Sequence, residues 1–291
     1  MPAFFALLGV LAGSQGEAAL RQPGADLRRL IAASGAEVAV AWRSLDGADE
    51  LLIDADTPFH AASTMKLAVM IELFRQAHAG GRALDEAVPI RNEFRSIVDG
   101  SLYALSEGDD SDREVYAAAG TSMSARRLCE LMITVSSNFA TNLLIERLGV
   151  DNIRQTVSRL GAEGLQVLRG VEDAKAFARG LNNSTTARAL LVLLETIASG
   201  RAVAPAADRE MIDILKRQQF RDAIPAGLPP GVAVAHKTGN ITRIHHDAAI
   251  VFAARPYVLV VLVRGIAEQK ESARLIAAIS RAAYQQINEQ R

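Results

Sequence analysis

His60-Ala61-Ala62-Ser63-Thr64-Met65-Lys66-Leu67-Ala68-Val69-Met70 sets a polar Ser-x-x-Lys at the head of an apolar run that continues to Leu73 and Phe74. The pattern predicts a helix whose first turn carries Ser63 and Lys66 and which ends near Gly80-Gly81. Residues three apart lie on one helical face, so the hydroxyl and the amine are neighbours. The helix N-terminus adds free N–H groups and partial positive charge beside the hydroxyl. A lysine held neutral by burial can take the proton of such a serine and make it a nucleophile. The simpler reading is a capping serine followed by a solvated lysine, and two later stretches decide between them.

Before this stretch, residues 26–33 read as an amphipathic helix stopped by Ser34-Gly35. Residues 37–43 and 50–54 read as strands joined through Asp46-Gly47, a hairpin signal. After it, residues 91–121 are mixed, and the acidic run Glu107-Gly108-Asp109-Asp110-Ser111-Asp112 reads most simply as a solvated surface. Helices are expected at 124–135 with Ser124 as cap, from 137–138 to 148–149, and at 151–160 capped by Asp151. Residues 163–183 are irregular, and helices follow at 184–199 and 205–218. Beyond Pro229-Pro230-Gly231 the pattern turns to strands at 232–236, 246–254 and 257–264, closed by a helix at 272–288.

Two strands near one end, three near the other and a helical block between predict an α/β (α+β) fold. One antiparallel five-stranded sheet is flanked by the terminal helices, with an all-helical subdomain beside it. Residues 21–291 form a single catalytic domain on this reading, its α/β part 21–62 and 219–291 and its helical part 63–218. The chain is 291 residues long and 49% hydrophobic, enough for a large core, and a net charge of -1 offers no basic footprint for nucleic acid. The single cysteine, Cys129, excludes an internal disulfide and falls on the apolar side of a helix. Residues 1–20 resemble a secretory leader: an apolar run from Phe4 to Ala12, then small residues, although no Lys or Arg precedes the run. A periplasmic or secreted protein is the expectation, with no stable membrane span in the mature chain.

The second deciding stretch is Val135-Ser136-Ser137-Asn138-Phe139-Ala140-Thr141-Asn142-Leu143-Leu144, and the third is Ala235-His236-Lys237-Thr238-Gly239-Asn240. Ser-x-x-Lys, Ser-x-Asn and Lys-Thr-Gly in that order is a specific combination. On these motifs the chain resembles the penicillin-recognising serine hydrolases, and the class A β-lactamases within them. The resemblance implies Ser63 as nucleophile, Lys66 as its base or relay, and Ser136 as proton carrier to the leaving nitrogen. Lys237 and Thr238 would take a substrate carboxylate, and Asn138 a side-chain amide. Gly239 would let substrate lie along the strand, and the N–H groups of Ser63 and Asn240 would form an oxyanion hole. No metal and no cofactor are implied, only a small-molecule β-lactam or D-alanyl-type amide or ester, turned over by a monomer. The implied activity is β-lactam hydrolysis, with D-alanyl peptide or ester hydrolysis and a non-hydrolysing penicillin sensor as alternatives.

The match departs where the acyl-enzyme must be released. The family carries its deacylating base on a loop with an Arg-x-Glu-x-x-x-Asn pattern, and here the text is Arg169-Gly170-Val171-Glu172-Asp173-Ala174-Lys175-Ala176. Glu172 stands close to the expected place, either as that base or as a surface carboxylate paired with Lys175 or Arg179. Arg169 is one residue early and Ala176 replaces the water-positioning asparagine, for which Asn182 or Asn183 could substitute. Ser137 replaces the aspartate usual within Ser-x-Asn, and Ser184 the acid that closes the loop.

Five more positions are candidates. Arg243 is either a second charge for a substrate carboxylate or an exposed turn residue, and Tyr103 is an aromatic for the cleft mouth. His245 and Asp247 would share one strand face with His246 on the other. Too few ligands accompany them for a metal, so a hydrogen-bonded His246 or Asp247 lining the far side of the cleft is expected. Trp42 reads as core.

Overall fold

A computed structural model describes residues 24–80 and 84–288. The leader expected over residues 1–20 lies outside them, as does Gly81. The five long strands are β1 (Glu37–Ser44), β2 (Glu50–Ile53), β3 (Ala233–Ile241), β4 (Ile244–Phe252) and β5 (Tyr257–Arg264). They form one sheet in the order β2-β1-β5-β4-β3, every pair antiparallel. The eight longer helices are α1 (Ala25–Ser34), α2 (Lys66–His78), α3 (Ala125–Thr134), α4 (Asn138–Leu148), α5 (Val150–Arg159), α6 (Ala187–Ala198), α7 (Pro205–Lys216) and α8 (Gln269–Asn288).

Both faces of the sheet are buried, and the strand period sorts them. Val38, Val40 and Trp42 join Leu27, Ile276 and Ile279 in a core beneath the terminal helices α1 and α8. Ala39 and Ala41 point the other way, into a larger core with Leu190, Leu194 and the helical block around α2. The small side chains on that face of β1 let α6 lie close across the sheet. Helix α2 is buried over most of its circumference, from Lys66 to Phe74. It is the axle of the helical block, packed by α3, α4, α5 and α7.

Local signals account for the helix ends. Ser124 caps α3 by accepting from Arg127 N, Ser137 caps α4 from Ala140 N, and Thr186 caps α6 from Ala189 N. Asp151 does not cap α5; Gly149 stands at that position and Asp151 lies in the first turn. The strand expected to stop at His236 runs on to Ile241, because pairing with β4 through Gly239↔His246 and Asn240↔His245 outweighs the poor strand propensity of glycine and asparagine. Cys129 is buried and free. Among the described residues no helix is long and apolar enough to cross a membrane.

Candidate active site

Ser63 does not lie in the first turn of an α-helix. It sits on a 3-10 turn, Ala62–Met65, and Lys66 opens α2 directly after it. Side chains three apart eclipse on a 3-10 turn, so the two remain on one face. The turn is fixed from several sides: Ala61 N donates to Asn183 O at 2.9 Å and Thr64 Oγ1 donates to Ala61 O at 2.7 Å. Ala62 adopts a left-handed φ of 44°, and its N–H donates to His60 Nδ1 at 3.0 Å. Strand β3 presses on the turn from the sheet side. A methyl group at Gly239 would stand 3.1 Å from both Ser63 N and Thr64 N. Glycine is needed there for the approach of two backbones, a different reason from the substrate contact expected of it.

Lys66 is fully buried, and its Nζ donates to Ser136 O at 2.7 Å, Ser136 Oγ at 3.2 Å and Asn138 Oδ1 at 2.9 Å. Burial pulls its pKa down to about 7, against the attraction of Asp110 and Glu172. Lys237, also fully buried, donates to the same Ser136 Oγ at 3.0 Å and to Thr238 O at 2.8 Å. Burial and the neighbouring Lys66 hold it well below the usual lysine range. Ser136 itself has φ 60°, an uncommon conformation for a serine, of the kind that costs about 1–3 kcal/mol and persists only when its surroundings impose it.

Two carboxylates hold the residues that follow it, and they come from the acidic run read above as solvated. Asp110 and Asp112 are only 6% and 4% exposed. Asp110 accepts from Asn138 N at 3.0 Å and Phe139 N at 3.0 Å, the free donors at the start of α4. Asp112 accepts the hydroxyl proton of Ser137 at 2.9 Å and the N–H of Glu114 at 2.9 Å. The acid missing from the middle of Ser-x-Asn is thus supplied by a different segment. The sequence signal was Asp112 ahead of Arg113-Glu114-Val115, an acid opening a short helix at Glu114–Ala117.

The loop over 163–185 brings Glu172 to the same place. Glu172 has φ 61°, and its Oε1 accepts from Asn138 Nδ2 at 3.2 Å. Neither cation proposed for it is its partner in the structure; Lys175 pairs with Asp99 at 2.7 Å. Asn142, on α4, clamps the preceding residue by accepting from Val171 N at 2.7 Å and donating to Val171 O at 3.0 Å. Asp173 ties the loop down by accepting from Ser96 Oγ and Ile97 N. Arg169 is buried and donates to Leu181 O, Gly170 O and Asn182 Oδ1, so it clasps the loop without an acid. Asn182 is therefore engaged by Arg169, and Asn183 by the backbone of Leu168 and Arg169. Ala176 is buried on a short helix, Ala174–Ala178.

A cleft of about 470 Å³ opens over these groups, lined by Ser63, Ser136, Asn138, Thr238 and Asn240. Its other walls carry Asp109 and Ser111, from the run read above as solvated, and Phe220-Arg221-Asp222, which nothing in the sequence singled out. Arg243 is not among the lining residues: it sits on the exposed hairpin turn with φ 60° and donates to Gly265 O at 2.6 Å. Tyr103 is not at the mouth either, since its hydroxyl donates to Val171 O at 3.2 Å beneath the loop. His246 and Asp247 are completely buried, bonded to His60 O and to His236. It is His245 that reaches the cleft, as His245 and Asp247 share the face that alternation gave them. Among the described residues no three His, Cys, Asp or Glu side chains are arranged to hold a metal ion.

Residues 22–287 match the model of the β-lactamase enzyme family. The chain belongs to that family. A β-lactamase of Bacillus licheniformis is 31% identical over 176 residues, 58% of this chain and 57% of that protein, so the match spans little more than half of that relative. The β-lactamase L2 of Stenotrophomonas maltophilia is 27% identical over 78% of this chain and 74% of its own. Among solved structures, PBP-A superposes with a TM-score of 0.78 at 26% identity, covering 91% of this chain and 96% of that one. A variant of PBP-A has been solved as an acyl-enzyme complex with penicillin G. This β-lactamase-family chain has the serine β-lactamase fold, built here on the five-stranded antiparallel sheet.

Proposed function

We propose that this chain is a serine hydrolase that acylates Ser63 with a β-lactam and releases the opened product by water. The observation that carries the reading is Lys66, a buried amine brought down to about 7 and bonded to Ser136 and Asn138 at the head of the helix that follows Ser63. In its neutral form Lys66 takes the Ser63 proton, and Ser63 Oγ attacks the lactam carbonyl. The amide C–N bond then breaks. Ser136 gives its proton to the departing nitrogen and is reprotonated from Lys66, the nearby Lys237 stabilising the charge that passes through its oxygen. Thr238 and Asn240 line the wall where a substrate carboxylate and the carbonyl oxygen would rest. Glu172, held to Asn138, is the base that draws a proton from water attacking the ester. Export to the periplasm or beyond, where cell-wall-directed lactams are met, belongs to the same proposal and rests on the apolar run from Phe4 to Ala12.

A second reading has its own support. The likeness to PBP-A, a variant of which is trapped as a penicillin acyl-enzyme, and the alanine at position 176 favour slow release, as in a penicillin-binding sensor or a D-alanyl peptide or ester hydrolase. Timed mass spectra after mixing with penicillin separate these. Hydrolysis requires transient adduct with continuing turnover, none with Ser63→Ala, and persistent adduct with Glu172→Gln. A stoichiometric adduct that lasts in the wild type points to the sensor, and no adduct together with ester or peptide cleavage points to the other hydrolase.

A further inference from the structure

We propose that Asp110, which stands outside all three sequence motifs, is a positioning residue: it holds Asn138 in place beneath Lys66 and supplies the buried counter-charge of the Lys66 ammonium. This deepens the acylation reading above and rests on it.

The geometry begins at the start of α4. Asp110 accepts from Asn138 N with both oxygens, at 3.2 and 3.0 Å, and from Phe139 N at 3.0 Å. Tyr116 donates its hydroxyl proton to the same carboxylate at 3.3 Å. These bonds fix the backbone of a residue whose side chain faces two ways. Asn138 Oδ1 receives Lys66 Nζ at 2.9 Å, and its Nδ2 reaches Glu172 Oε1 at 3.2 Å. A carboxylate that holds Asn138 therefore acts on the amine of one half-reaction and on the carboxylate of the other.

The second argument is charge. Two fully buried lysines converge on Ser136, and buried cations need anions near them. The charged groups facing Lys66 are Lys237 from β3, Glu172 from the 163–185 loop and Asp110 from the segment before α3. Glu172 is exposed, whereas Asp110 is buried. Consistently, Asp110 is the larger of the two attractions that oppose the lowering of Lys66 by burial. Asp112, two residues on, is turned instead to the Ser137 hydroxyl and to the N–H groups of the short helix after it.

The test is the pH dependence of acylation, measured in single turnovers with a chromogenic cephalosporin for the full chain. Asp110→Asn keeps the shape and removes the charge, so the acid limb should move to lower pH. One unit below the wild-type midpoint the rate, as a fraction of its own plateau, should rise about threefold to tenfold. Asp110→Ser, neutral but still able to accept an N–H, should move the limb the same way. Asp112→Asn should lower thermal stability and leave the limb where it is. A limb unmoved in both Asp110 variants overturns the proposal, whatever happens to the plateau. So does a failure of both to fold, which would make the carboxylate purely structural. A wild type that forms no adduct with any lactam instead overturns the acylation reading, and the two failures are told apart by that control.

Discussion

Lys66 and Lys237 arrive from different elements, the head of α2 and the middle of β3, and both donate to the single hydroxyl oxygen of Ser136, at 3.2 and 3.0 Å. Two buried amines can share one oxygen only because it has two lone pairs, and its own proton is then left for another partner. Replacing Ser136 with alanine removes that shared acceptor and the proton carrier together. Acylation should fall by about 100-fold or more, read as the rate of adduct formation by mass spectrometry, while Ser63 remains in place.

The pH response of stability should carry the mark of Lys66. Its folded value of about 7 lies below the ordinary 10.5, so between the two the unfolded chain holds a proton that the folded chain lacks. Stability from this group therefore rises with pH across that interval and is flat below it. Melting temperatures from pH 7 to 10 should show the wild type gaining on Lys66→Met as pH increases. A constant difference would mean that Lys66 is not depressed in the fold.

His60 tests how the Ser63 turn is held. Its Nδ1 is the acceptor for Ala62 N–H, two residues on, and its ring meets Phe177 of the Glu172 loop edge-on at 6.3 Å. Burial and Arg169 lower its pKa, which favours the neutral ring that can accept. His60→Leu should destabilise the protein by about 1 kcal/mol and slow acylation several-fold. His60→Asn, whose side-chain oxygen makes the same two-residue bond, should restore most of both. Equal damage from the two, in thermal melts and adduct rates, would remove the acceptor from the explanation.

Gly170 lies against Asn142, and a Cβ there would stand 2.7 Å from Asn142 Oδ1. Gly170→Ala should displace the amide that clamps Val171 and so misplace Glu172. Release of the acyl group should slow by about tenfold or more, with acylation within about twofold of the wild type. The signature is a burst followed by a slower steady rate.

Gly239→Ala should injure the other half of the cycle. The added methyl meets two backbone nitrogens at 3.1 Å, neither able to swing aside as a side chain could. Overpacking of this kind costs about 1–3 kcal/mol, and here it parts β3 from the Ser63 turn. Melting temperature and acylation should fall together.

The three motifs were legible in the sequence as segments to be brought together, as was the sheet, because alternation in β1 and continuous apolar runs in β4 and β5 admit few other readings. The structure gathers Ser63, Lys66, Ser136, Asn138, Lys237, Thr238 and Asn240 around one cleft or directly beneath it. Asp110 and Asp112 were missed for a physical reason: a run of acids reads as solvated unless the donors that will bury it are known, and those donors lie on α4. Of the two readings of Arg243, the exposed turn residue is the one seen: its left-handed φ sets the guanidinium on Gly265 O, away from the cleft. His246 and Asp247 were assigned to a wall of the cleft, whereas strand alternation and sheet coverage on both faces bury them. Glu172 was legible by position alone; its hold on Asn138 and the clamp by Asn142 depend on a loop path that spacing does not encode.

That path is fastened by Arg169 through two carbonyl oxygens and an amide oxygen, partners that neither gain nor lose protons in water. A guanidinium keeps its charge at any pH the fold survives. Acidification can therefore silence the amine at the head of α2 while the Arg169 half of the loop's fastening stays shut, leaving Asp173 as the carboxylate through which acid would loosen the rest.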